Sequence, residues 1–251
     1  RVRPRAGRGT RAALGAAVLC AVAAAVAACS GDDTDAGSGG AGAGAGADAA
    51  AGAGADEWPR VGFDLTNTRA APDESIGAGD VADLTPVWQL GGVKGVTGTP
   101  VVADGTVYVG DWTSHVRALD AATGEERWAH DLESRYVGGS VAVDDDRVYV
   151  GAFDARIVAL DRATGEPVWE TDLDPNPKAV VFGSPVVADG LVVTGVGSFE
   201  VFVPSDPPSF RGTVVALDAA TGAEAWRFHV TDEAAGEGAG VSVWSSPAVD
   251  R

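Results

Sequence analysis

One phrase occurs three times in this chain: Ala118-Leu119-Asp120-Ala121-Ala122-Thr123-Gly124 followed by Trp128, Ala159-Leu160-Asp161-Arg162-Ala163-Thr164-Gly165 followed by Trp169, and Ala216-Leu217-Asp218-Ala219-Ala220-Thr221-Gly222 followed by Trp226. A period of roughly 40 residues, built from short alternating apolar stretches, is the mark of an all-β propeller in which each repeat supplies one four-stranded antiparallel blade. The step from Trp169 to Trp226 is longer than the step from Trp128 to Trp169, so the third repeat carries an insertion.

Within the first repeat, residues 99–102 and 106–109 read as strands joined by Ala103-Asp104-Gly105, a tight turn. A third strand covers residues 115–119, and residues 120–124 turn back with Gly124 in a position that demands positive φ. The fourth strand, around residues 126–129, carries Trp128. An indole recurring there is expected to pack between neighbouring blades, because it buries a large apolar area. Trp88 lies one repeat length before Trp128 and closes an earlier, incomplete blade; residues 245–250 repeat residues 183–188 and open a further one. Three full blades and two partial ones cannot close a ring and hide their sheet edges. The sequence also lacks methionine, and the expectation is a fragment whose missing C-terminal part completes the propeller.

Arg1, Arg3, Arg5, Arg8 and Arg11 precede an apolar, Ala-rich run over residues 12–28, the layout of a secretory leader and too short for a comfortable membrane span. The run ends in Val26-Ala27-Ala28-Cys29, which resembles the bacterial lipobox. That resemblance implies a lipidated Cys29 and an extracytoplasmic protein anchored to the membrane; the alternative is ordinary cleavage nearby, with Cys29 an incidental thiol. Cys20 leaves with the leader, so no disulfide is expected. Residues 29–56, almost wholly Gly, Ala, Ser and Asp, read as a flexible tether, and residues 57–251 as the folded head. Removing residues 1–28 takes away five of the 18 Lys and Arg and none of the 36 Asp and Glu, moving the net charge from −18 to −23. So acidic a chain repels nucleic acid.

In a meandering blade the connection between the second and third strands lies on the same face as the passage from one blade to the next. On that face the third repeat expands over residues 195–212, including Gly197-Ser198-Phe199-Glu200. The blade-to-blade passages each bring one base, Lys94, Arg135 and Lys178, and Trp244 lies on the same side with no Thr-Gly turn before it. An acid, an aromatic plate and three bases on one rim suit a flat, anionic ligand. The three histidines are scattered over strands and suggest no metal cluster.

The repeat phrase, together with Trp58-Pro59-Arg60-Val61-Gly62-Phe63-Asp64-Leu65-Thr66-Asn67-Thr68-Arg69, resembles the quinoprotein alcohol dehydrogenases, eight-bladed propellers that use pyrroloquinoline quinone (PQQ) and usually calcium. Phe210-Arg211-Gly212-Thr213 and Gly240-Val241-Ser242-Val243-Trp244 resemble most the polyvinyl-alcohol dehydrogenase branch. The resemblance implies that Glu200, in Gly-x-x-Glu, ligates Ca²⁺. It further implies that Trp244, six residues before Asp250, stacks on the quinone; the carboxylates of such a cofactor need cations, for which Lys94, Arg135 and Lys178 are the candidates on that rim. It implies oxidation of a small or polymeric alcohol by hydride transfer, with the catalytic base and a calcium-ligating Asn supplied by later blades, so that this chain alone is inactive.

Several positions depart from the pattern. Gly138-Gly139 stands where many members have a vicinal Cys pair, Pro207-Pro208-Ser209 where the polyvinyl-alcohol branch often has Cys-Cys, and Phe182 where some members use a Thr. No Cys-x-x-Cys-His haem signature occurs, so electrons are expected to leave to a separate cytochrome or other acceptor. Non-enzymatic propellers share the repeat, among them the outer-membrane assembly scaffold lipoprotein. The second reading is therefore a cofactor-free binding or assembly scaffold, and a third is a propeller that binds polymer or peptide on the same rim.

Overall fold

The Asp-x-x-Thr-Gly turn explains why the repeats fold alike. In the first, Asp120 Oδ1 accepts hydrogen bonds from the backbone N–H groups of Ala122 (3.0 Å) and Thr123 (2.9 Å) and from the Thr123 hydroxyl (3.1 Å). The Gly124 N–H then donates to the Asp120 carbonyl at 2.8 Å, with Gly124 at φ 73°. Asp161 and Asp218 make the same turn with Thr164 and Thr221. These bonds favour the ionised carboxylate, and all three acids are held below the usual carboxylate range; the Arg127 guanidinium, with the Thr123 donors, takes Asp120 to about 2.

A computed structural model describes residues 57–71, 76–203, 208–233, 236 and 238–250. The leader, Cys29 and the tether lie outside the described residues. The described residues all belong to one compact unit, Gly46–Arg251, and none of their helices is long and apolar enough to cross a membrane.

Three antiparallel sheets follow one another. The first blade is β1 (Val101–Ala103), β2 (Thr106–Gly110), β3 (His115–Asp120) and β4 (Glu126–Asp131), paired in sequence order. The second is β5 (Ala142–Val143), β6 (Arg147–Gly151), β7 (Arg156–Asp161) and β8 (Pro167–Asp172). The third runs β10 (Val186–Ala188), β11 (Leu191–Ser198), β12 (Thr213–Asp218) and β13 (Glu224–His229), with β9 (Ala179–Val180) added to the far end of β11. The fold is a β-propeller of the quinoprotein type, and the four-stranded meander holds with one fifth strand in the third sheet. The outer partial blades are less regular: neither the segment around Trp88 nor residues 245–250 forms an assigned strand. The latter nevertheless makes a blade-like contact, since Ser184 N–H donates to Ser246 Oγ at 2.8 Å just as Ser140 N–H donates to Ser184 Oγ.

Trp88, Trp128 and Trp169 do pack between blades, and onto a defined seat, whereas Trp226, on the last full blade described, is 44% exposed. The Trp128 ring lies against Gly165 so closely that a Cβ there would stand 2.6 Å from it, and the indole N–H donates to the Arg162 carbonyl at 3.0 Å. Trp88 meets Gly124 and the Ala121 carbonyl in the same manner, and Trp169 meets Gly222 and the Ala219 carbonyl. Each indole therefore seats on the next blade's Thr-Gly turn. On the inner side the backbones nearly touch: a Cβ on Gly139 would lie 2.8 Å from the Gly183 carbonyl oxygen. The core between the first two blades is Val-rich, with Val101, Val116, Val137, Val141, Val148, Val150 and Leu160 fully or almost fully buried.

Candidate functional site

The third blade departs from its neighbours at β11, which is eight residues long against five for β2 and β6. It pairs with β12 as far as Val196 opposite Thr213, and beyond that Gly197 and Ser198 pair with Val180 and Ala179 of β9. The expected loop over residues 195–212 therefore begins as strand, and the irregular detour starts at Phe199. There the Ser198 hydroxyl accepts the Glu200 N–H at 3.1 Å and caps a single 3-10 turn, Phe199–Val201.

Glu200 is 7% exposed and its carboxylate is fixed by its surroundings. The Ser209 hydroxyl donates to Oε1 at 2.7 Å, the Phe210 N–H donates to Oε2 at 3.2 Å, and Lys178 Nζ stands 3.8 Å from Oε1. Burial pushes this carboxyl up, but the two donors and the Lys178 charge outweigh it, so the group lies below the usual glutamate range. An ionised carboxylate with a lone pair left on each oxygen has the chemistry a hard cation requires. Among the described residues no group of three or more His, Cys, Asp or Glu is placed to hold a metal.

Trp244 is half-buried on the same rim as the detour, where a Cβ on Gly197 would touch its Cδ2 at 3.7 Å. Its neighbours were not foreseen. Phe182 meets the indole edge-on with centroids 5.1 Å apart, and Phe202 does so at 6.5 Å. From Phe182 the rings continue through Phe153 (5.8 Å), Tyr136 (4.0 Å, stacked) and Trp112 (5.5 Å), with Phe199 stacked on Phe153 at 5.7 Å. Burial pushes the Tyr136 hydroxyl up to about 12, with nearby Arg135 opposing. The signal was present in the repeat register. Phe182 and Trp244 occupy one position of successive inter-blade passages, Val181-Phe182 and Val243-Trp244, and Trp112 and Phe153 follow the last glycine of β2 and β6 at one spacing.

The three bases are placed differently. Lys178 reaches Glu200, and the exposed Arg135 lies over the Phe199 ring with its guanidinium carbon 5.5 Å from the centroid, so both meet the detour. Lys94 is exposed at the other end of the aromatic run, where its carbonyl accepts the Trp112 N–H at 2.8 Å. A cavity of about 710 Å³ opens elsewhere, between the first two blades. Its arginines are already engaged: Arg127 with Asp120, Arg147 with the Ala219 carbonyl, Arg162 with Asp104 and Tyr108. The rim of the detour is the better candidate.

Comparison with known proteins agrees with this architecture. The model of the PQQ_2 family, described as outer membrane protein assembly factor BamB, matches residues 112–251. The quinohemoprotein alcohol dehydrogenase ADH IIB of Pseudomonas putida is 34% identical over 69% of this chain and 26% of its own length. The polyvinylalcohol dehydrogenase of a Pseudomonas species is 28% identical over 78% of this chain and 34% of its own length. The crystal structure of the quinohemoprotein alcohol dehydrogenase from Comamonas testosteroni superposes with a TM-score of 0.61 at 36% identity, covering 69% of this chain and 27% of that one. The chain thus spans about a quarter to a third of the length of these relatives. With the family model matching more than half of its residues, the chain belongs to the PQQ-type β-propeller repeat family, alongside quinoprotein alcohol dehydrogenases.

Proposed function

We propose that this chain is the N-terminal part of an extracytoplasmic, PQQ-dependent alcohol dehydrogenase, tethered to a membrane through Cys29. The observation that carries the reading is the meeting of the detour with Trp244 on one rim, with the buried Glu200 carboxylate held inside it by Ser209 and Phe210. Glu200 would hold a divalent cation, calcium by preference for hard oxygen donors. Trp244 would pack on the cofactor's flat face once the Phe182 edge turns aside. Arg135, Lys178 and Lys94 would offset the cofactor's carboxylates. The bound quinone supplies the hydride acceptor. This chain's residues orient it and exclude water on the Trp244 side, while the base that takes the alcohol proton, and a further cation ligand, are expected from residues beyond 251. The substrate would be a small or polymeric alcohol, and electrons would pass to a separate cytochrome or other acceptor.

A second reading has support of its own. The matching family model is described as an assembly factor, and Phe182 covers part of the indole that the quinone would need. On that reading the propeller is a scaffold without a cofactor. The deciding experiment mixes the full-length protein with PQQ and Ca²⁺ and follows dye-linked oxidation of secondary or polymeric alcohols, in the wild type and in Glu200→Gln. Calcium-dependent turnover in the wild type that collapses in the variant supports the dehydrogenase. No such activity, with cofactor binding indifferent to the substitution, leaves the scaffold.

A further inference from the structure

The pairing of Lys178 with Glu200 is looser than a structural ion pair. At 3.8 Å it lies at the outer limit of contact, whereas charge-assisted N–H···O bonds run at about 2.7–2.9 Å. The carboxylate owes its orientation to other groups, the Ser209 hydroxyl and the Phe210 N–H. Lys178 supplies charge: its side chain is 30% exposed against 8% for Glu200, so it can swing away without unburying the acid. The backbone that carries it is fixed on both sides. The Lys178 N–H donates to Asn176 Oδ1 at 2.9 Å, and the Lys178 carbonyl accepts the Phe199 N–H at 3.1 Å. Asn176 in turn approaches Ser209 Oγ at 3.4 Å, closing a circuit around the acid.

From this geometry we propose that Lys178 is a built-in stand-in for the divalent cation at Glu200: its ammonium neutralises the buried carboxylate while no metal is bound and must be displaced when one binds. This rests on the reading of Glu200 as a cation ligand given above. A buried carboxylate without a positive partner is costly, and a divalent ion beside an ammonium is repelled, so the two cations exclude one another. Lys178 then acts as a positioning residue that sets how much cation is needed to load the site.

The test is a titration of the intact protein with terbium(III), an oxygen-seeking probe, without any quinone, read by tryptophan-sensitised luminescence. Lys178→Met should bind terbium at least about tenfold more tightly than the wild type. Lys178→Arg, which keeps the charge, should stay near the wild type, and Glu200→Gln should lose the site; circular dichroism confirms that each variant is folded. If Lys178→Met binds no more tightly while Glu200→Gln still abolishes binding, the stand-in role is overturned and Glu200 remains a ligand. If Glu200→Gln binds as the wild type does, or no variant binds terbium, both ideas are overturned.

Discussion

At Glu200 two opposed effects meet on one carboxyl group. Burial disfavours its charge, yet the Ser209 hydroxyl, the Phe210 N–H and Lys178 favour it by more, so the folded group titrates below its unfolded value. Its contribution to stability is therefore complete above the unfolded value of about 4.3 and is lost as the pH falls through the lower folded value. The Phe210 amide should stay protected from hydrogen exchange above the unfolded value and lose protection as the pH falls below it through the folded value. Glu200→Gln should lower that protection where the wild-type group is ionised, because the carboxamide keeps only one acceptor oxygen for two donors, and the two proteins should converge once the acid is protonated. Exchange followed by NMR or mass spectrometry decides, and protection that rises on acidification contradicts the account. Glu200 was legible in the sequence as an acid in an inserted stretch. Its partners were not, since nothing in the spacing says that the chain returns at Ser209 and Phe210, or that the passage into β9 delivers Lys178.

At the scale of elements, the turn and its tryptophan explain why the blades were readable in advance. Asp, Thr and Gly at fixed offsets satisfy one another locally, and the indole finds its seat one repeat later, so the pattern recurs wherever the geometry does. Gly165 is an exacting position, at φ 75° and under the Trp128 ring. Gly165→Ala should destabilise the protein by about 1–3 kcal/mol through strain and displacement of the indole, measurable as a lower urea midpoint. An unchanged midpoint would show that the seat is slack. What the pattern hid is β9 and the aromatic run from Trp112 to Trp244. Both depend on residues from different blades converging on one rim, and a repeat phrase describes each blade in isolation.

At the scale of the whole molecule, the leader, lipobox-like Cys29 and tether predict a head displayed away from a membrane. Cys29→Ala should move the protein from the membrane fraction to the soluble one without altering the thermal unfolding of the head, as fractionation and calorimetry would show. Retention in the membrane would refute the lipid anchor.

The first folded residues, meanwhile, do more than lead into the first blade. Trp58 pairs with Val102 through two backbone bonds of 2.9 and 2.8 Å, and Leu65 packs with Val186, Ala188 and Val249 while its carbonyl accepts the Val249 N–H at 2.9 Å. The opening segment thus touches both the first inner strand and a stretch at the far end of the described chain. A polypeptide emerging from its amino terminus makes Leu65 early and Val249 late, so Leu65 has to wait unclasped until almost everything described has been synthesised. Among the described residues, the stretch made first thus gains its last clasp only when Val249 has been made.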